Sequence, residues 1–250
     1  TAFTLHGTNF ETNAIVMLGG QAATGVAATP DQTQITATTP ALAAGTVNDV
    51  TVTDPDGIAG TLVKGFVADF LDVPPANGFY SYVTTLVSNA ITVGIGGGLY
   101  GVNDDTKRQQ MAVFLLKAEH GICYVPPPCT GVFGDVPCPS TFADWIEQLF
   151  AENITGGCGG NNYCPQNPVR RDQMAVFLLK TEHGPSYVPP TCTGIFNDVA
   201  CPSTFANWIE QLATEQITGG CQVSPPLYCP SNPNTRGQMA VFIDKTFHLQ

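Results

Sequence analysis

Three arginines, Arg108, Arg171 and Arg236, stand in one recurring context, Arg-x-Gln-Met-Ala-Val-Phe. Each opens a stretch that reads as a helix, and with Lys107 and Arg170 they make up five of the nine Lys and Arg residues of the chain. A cation at a helix N-terminus opposes the macrodipole by a few tenths of a kcal/mol or more, so another partner must hold these side chains. A guanidinium beside the free N–H groups of a helix start is suited to a carboxylate or a phosphate. Asp72, Asp135 and Asp198 repeat in register with the arginines. An arginine–aspartate ion pair within the fold is therefore a competing use of the same charge.

Eight of the nine cysteines also repeat, Cys129, Cys138, Cys158 and Cys164 answering to Cys192, Cys201, Cys221 and Cys229. They come and go in pairs, which points to local disulfides Cys129–Cys138, Cys158–Cys164, Cys192–Cys201 and Cys221–Cys229. Zinc is the alternative, but the pairs are not Cys-x-x-Cys and no His lies at ligand spacing within them. Disulfides imply an oxidising setting outside the cytoplasm. Cys123 is left over, as a buried thiol or a bridge to another chain; Ser186 takes its place in the next copy. His120, His183 and His248 follow Lys117, Lys180 and Lys245 at helix ends, where cations complement the dipole; a threefold histidine metal site is the other reading. Trp145, Trp208 and Tyr82 are expected as buried anchors rather than sugar-stacking platforms. No nucleophile–base order, phosphate loop or carboxylate pair points to catalysis, and no cofactor or metal is expected.

These residues are positioned by a repeat. Phe142 and Phe205, Trp145 and Trp208, and Met111 and Met174 are each 63 residues apart, whereas Met239 follows Met174 by 65. Such a period marks supersecondary units that bury their apolar faces against one another. Each copy reads helix, loop, helix. Phe142, Trp145, Ile146, Leu149 and Phe150 form one apolar stripe, with Ser140 or Thr141 as its cap. The helix from Arg171 is apolar nearly all round and belongs at the centre of the assembly. Tyr124 to Pro128 and Tyr187 to Pro190 read as stiff spacers. Residues 1–69 instead alternate apolar with small or polar side chains between turn signals such as Asp54-Pro55-Asp56-Gly57, the pattern of an all-β sandwich.

Composition excludes several classes. A net charge of −11 opposes nucleic-acid binding, and no apolar run is long enough for membrane insertion. The first residue is Thr rather than Met, which reads as a removed signal or a fragment.

Two resemblances complete this reading. Leu5-His6-Gly7-Thr8-Asn9-Phe10, Ile35 to Pro40 and Val50 to Gly57 resemble the TIG family of immunoglobulin-like domains, here without that family's opening strand, which leaves an unpaired edge. Phe133-Gly134-Asp135, Trp145, Ile154-Thr155-Gly156 and Arg171-Asp172-Gln173-Met174 resemble the S-layer homology repeat. That resemblance implies three repeats, at 70–128, 129–191 and 192–250, forming an all-α pseudo-threefold bundle of helix-loop-helix units behind the β-sandwich of 1–69. It implies attachment to cell-envelope polysaccharide at the cell surface, with Arg108, Arg171 and Arg236 in a glycan-binding groove. Asp72, Asp135 and Asp198 complete the candidate glycan-binding set. The family's motif Glu is Gln110, Gln173 and Gln238 here. The expected function is a non-catalytic, extracellular structural protein. The alternative is a subunit that assembles with copies of itself into a filament or lattice.

Overall fold

The computed structural model describes residues 1–249. They divide into two compact units, one of Thr1–Tyr80 with Val93–Tyr100, the other of Ser81–Thr92 with the chain from Gly101 onward.

In the first unit, period-two sequences become strands β1 (Ala2–His6), β2 (Ile15–Leu18), β3 (Gln21–Ala22), β4 (Thr24–Ala28), β5 (Gln34–Thr38), β6 (Val47–Thr53) and β7 (Ala59–Val67). They form two antiparallel sheets, ordered β1-β5-β4 and β3-β2-β6-β7. Val16, Leu18, Ile35, Ala37 and Val50, drawn from both sheets, share one buried core with Phe3, Leu5 and Phe66 packed around it. Among the described residues β1 pairs only with β5 and β7 only with β6. Each leaves one edge open, and β7 is exposed along its first seven residues.

The other elements are six helices among the described residues: α1 (Tyr80–Ser88), α2 (Arg108–His120), α3 (Ala143–Ala151), α4 (Arg171–His183), α5 (Ala206–Thr214) and α6 (Arg236–Phe247). The stripe on α3 buries Ala143, Ile146, Glu147 and Leu149. Its predicted hydroxyl cap is not formed: Phe142 is the N-cap and no side chain caps it. The turn closes instead through the Ala143 N–H to the Ser140 carbonyl. Helices α2, α4 and α6 touch one another, as expected for helices apolar nearly all round. Their N-terminal approaches are linked by three backbone hydrogen bonds: the Thr106 N–H donates to the Asn234 carbonyl, Asn234 to Val169, and Val169 to Thr106, at 2.8–2.9 Å. The three segments thus meet as a closed ring.

The four disulfides Cys129–Cys138, Cys158–Cys164, Cys192–Cys201 and Cys221–Cys229 are formed. Cys123 is an exposed free thiol, so its buried alternative does not hold.

Candidate functional site

Gln110, Gln173 and Gln238 occupy the third position of their helices. Their side-chain oxygens accept the backbone N–H of Lys107, Arg170 and Thr235. The amide thereby does what Glu does in a capping box. Thr235 alone can return the bond, accepting the Gln238 N–H at 3.3 Å; lysine and arginine have no acceptor to offer.

One residue into each helix, the recurring arginine turns inward. Arg108, Arg171 and Arg236 are 3%, 4% and 2% exposed, so their guanidiniums belong to the interior rather than to a solvent face. Arg108 Nε donates to the carbonyl of Tyr163 in the next copy at 2.8 Å, and Arg171 Nε to that of Tyr228 at 2.8 Å. The tyrosines answer, the Tyr163 hydroxyl donating to the Arg108 carbonyl and Tyr228 to Arg171. Arg236 reaches the first copy, where its Nη2 donates to Thr92 Oγ1 at 3.3 Å. Each guanidinium also lies over an aromatic ring of the copy it enters, Arg108 over Phe177, Arg171 over Phe242 and Arg236 over Phe114, at 5.4–5.5 Å. Such contacts gain strength where water is excluded. Burial pulls the Arg108 and Arg171 guanidiniums below their ordinary range, while Tyr163 with Asp135, and Tyr228 with Asp198, work against that. Burial drives the two tyrosine hydroxyls upward.

The aspartates serve the same loops from the other side. Asp135 accepts the N–H groups of Tyr163 and Cys164, and Asp198 those of Tyr228 and Cys229, at 2.7–2.8 Å. Asp72 accepts the Tyr100 N–H. In the second and third copies, acid and base hold opposite ends of one tyrosine. The loops need glycine where they tighten: Gly157 and Gly220 have φ of 80° and 84°. A Cβ there would land on the carbonyl oxygen of Asn162 or Leu227.

Outside this framework a cleft of about 360 Å³ lies between the first and second copies. It is lined by Gln109, Asp135, Pro137, Ser140, Thr141 and Phe142, with Val136, Ile146, Pro165 and Gln166 completing it. Small-ligand clefts run from about 300 to 1,000 Å³. Amides, hydroxyls and a carboxylate rim an apolar floor. Gln166 donates to Gln109 at 3.0 Å and receives Lys107 Nζ at 2.9 Å, which sets the pitch of that wall. Of the candidate residues, Asp135 lines the cleft. Trp145, Trp208 and Tyr82 are half-buried rather than enclosed, and the Tyr124 and Tyr187 rings meet the two tryptophans at 6.2 and 6.1 Å.

Sequence reasoning passed over Glu147 and Glu210. Each is buried and accepts three successive backbone N–H groups and a hydroxyl from the incoming spacer, Thr130 to Val132 or Thr193 to Ile195. Burial pushes these carboxyls up, but the donated hydrogen bonds outweigh it and hold them below the ordinary carboxylate range. A glutamate on the buried face of an amphipathic helix was the available signal.

No helix of the described residues is long and apolar enough to cross a membrane. No curated protein matches the chain. Two family models do: residues 1–64 match the IPT/TIG domain, an immunoglobulin-like family, and residues 69–112 match the S-layer homology domain. Neither is a catalytic family, and S-layer homology domains generally bind cell-wall polysaccharide, so the match at 69–112 points to a protein associated with the cell surface.

Proposed function

We propose that the chain is an extracellular, non-catalytic structural protein. In this reading residues 70–128, 129–191 and 192–250 are three S-layer homology repeats with pseudo-threefold symmetry, behind a sandwich at 1–69. The repeats attach the protein non-covalently to a cell-envelope polysaccharide. The observation that carries the reading is the cleft between the first two copies, whose rim of Gln109, Ser140, Thr141 and Gln166 over Phe142 suits hydroxyls above and a sugar face below. Arg108, Arg171 and Arg236 keep the walls at their spacing, and Asp72, Asp135 and Asp198 fix the loops; Asp135 is the one of these six that a saccharide in this cleft would touch. The closed backbone ring through Thr106, Val169 and Asn234 supports the threefold arrangement.

Co-sedimentation with isolated envelope sacculi tests it. Replacing Gln109, Ser140 and Gln166 by Ala removes neutral hydrogen bonds worth about 0.5–1.5 kcal/mol each, so affinity should fall at least about tenfold while circular dichroism shows the chain still folded. Undiminished binding would remove the cleft from the site.

A second reading, a subunit that assembles with its own copies, is favoured by the open β7 edge, where Leu62 and Val63 are 60% and 67% exposed. Negative-stain microscopy separates the two. Filaments or sheets formed without wall material favour assembly, and monodisperse particles favour the anchor.

A further inference from the structure

Where one copy hands over to the next, histidine and carboxylates converge. Glu119 and His120 end α2, and Glu152 follows α3 in the next copy. Glu152 Oε1 lies 3.0 Å and Glu119 Oε2 3.7 Å from His120 Nε2. Glu182, His183 and Glu215 repeat the arrangement at 2.9 and 3.6 Å. In each group all three ligand-capable atoms lie within 4.8 Å of one another. At the third handover His248 persists, but Phe247 and Asn89 stand at the two acidic positions. The acids are kept or lost together, which a histidine serving only a helix dipole would not require.

Further features point to a cation. Glu182 Oε2 is shielded from solvent and has no hydrogen-bond donor, the state of an oxygen that a positive ion would satisfy. Gln148 and Gln211 donate to Glu152 Oε1 and Glu215 Oε1 at 2.6 Å, as outer-shell groups that orient a ligating carboxylate do. The Tyr124 and Tyr187 rings lie 4.3 and 4.4 Å from the imidazoles and fix their planes.

We propose that each of these two junctions binds one divalent cation of the zinc class through Glu119, His120 and Glu152, and through Glu182, His183 and Glu215. Imidazole with carboxylate selects zinc and its neighbours, whereas calcium and magnesium prefer all-oxygen shells. Bonds of about 2.0–2.2 Å to a tetrahedral ion put ligand atoms about 3.4 Å apart, inside the spread seen here. The histidine side chains are 32% and 33% exposed, which leaves the fourth position to water. The bound ion would tie the second helix of one copy to the first helix of the next.

Isothermal titration calorimetry of the full chain with Zn²⁺, and separately with Ca²⁺, tests this. It is done in a Cys123→Ser background because that exposed free thiol is itself a zinc ligand. The expected result is two Zn²⁺ per chain, one after His120→Ala and none after His120→Ala with His183→Ala, with no saturable Ca²⁺ uptake. Zn²⁺ should raise the melting temperature of the parent and leave that of the double variant unmoved, the two melting alike in EDTA. Absence of saturable Zn²⁺ uptake, a stoichiometry indifferent to the histidines, or equal Ca²⁺ affinity at the same sites would overturn the proposal.

Discussion

Glu147 and Glu210 show how much one carboxylate can organise. Each gathers backbone N–H groups that would otherwise be unpaired in a turn, and the first copy, with Thr84 in that place, has no equivalent. Glu210→Gln keeps the shape but removes the charge from these bonds, and charge-assisted hydrogen bonds contribute about 1.5–3 kcal/mol each. The variant should therefore unfold at lower urea concentration, by about 1.5–3 kcal/mol. The pH dependence follows from the sign of the shifts. Because these carboxyls titrate lower when folded, their stabilisation is complete above the unfolded value near 4.5 and is lost as pH falls through the depressed one. Glu119, Glu182 and Asp244 are raised by burial, so protonating them on the way down from neutral pH favours the folded state. Without added metal, melting temperature should peak at mildly acidic pH and drop below about 4.5; a monotonic fall from pH 7 would contradict these assignments. The recurrence of the arginines and aspartates was legible from spacing. Their destinations were not, because Arg108 and the Tyr163 carbonyl it holds are 55 residues apart, and nothing local encodes that meeting.

At the scale of elements, periodicity carried most of the information. The apolar girth of α4 and the alternation in β5 matched the face that is buried, and the stripe on α3 did so at Ile146 and Leu149, with Trp145 half-buried and Phe150 exposed. The cysteine pairs were readable too, since a pair absent from one copy and present in two others must be satisfied locally. Their closed loops span 9, 6, 9 and 8 residues, and on the chain-entropy account each contributes about 2–3 kcal/mol. Reduction should therefore lower the urea midpoint markedly. Hydrogen exchange should then quicken first around 129–138, 158–164, 192–201 and 221–229, and uniform quickening would count against local staples. What spacing did not reveal is the start of α3, where Ser140 and Thr141 offered good caps. The chain instead uses Phe142 as the N-cap and leaves Ser140 and Thr141 lining the cleft, so position relative to a neighbouring copy overrode local propensity.

For the whole molecule, the chain is a strand-rich unit followed by helices whose contacts run in one direction. The arginine of the first copy enters the second, that of the second enters the third, and that of the third returns to the first. Lys117, Lys180 and Lys245 reach carbonyls of their own copy, those of Ala90, Asn153 and Gln216, while Lys117 also lies over the Trp145 ring of the next copy. Lys107 joins the arginines in crossing between copies, through Gln166. The repeat was visible as a period, but which cations cross to a neighbouring copy was not, because all of them look alike in sequence near helix ends. A directed contact that returns to its start after three steps is a head-to-tail interface. It makes no use of the peptide links between copies, so three separate chains could form it as well as one. Each copy can then vary without breaking the contact, as the first does in lacking the eight paired cysteines.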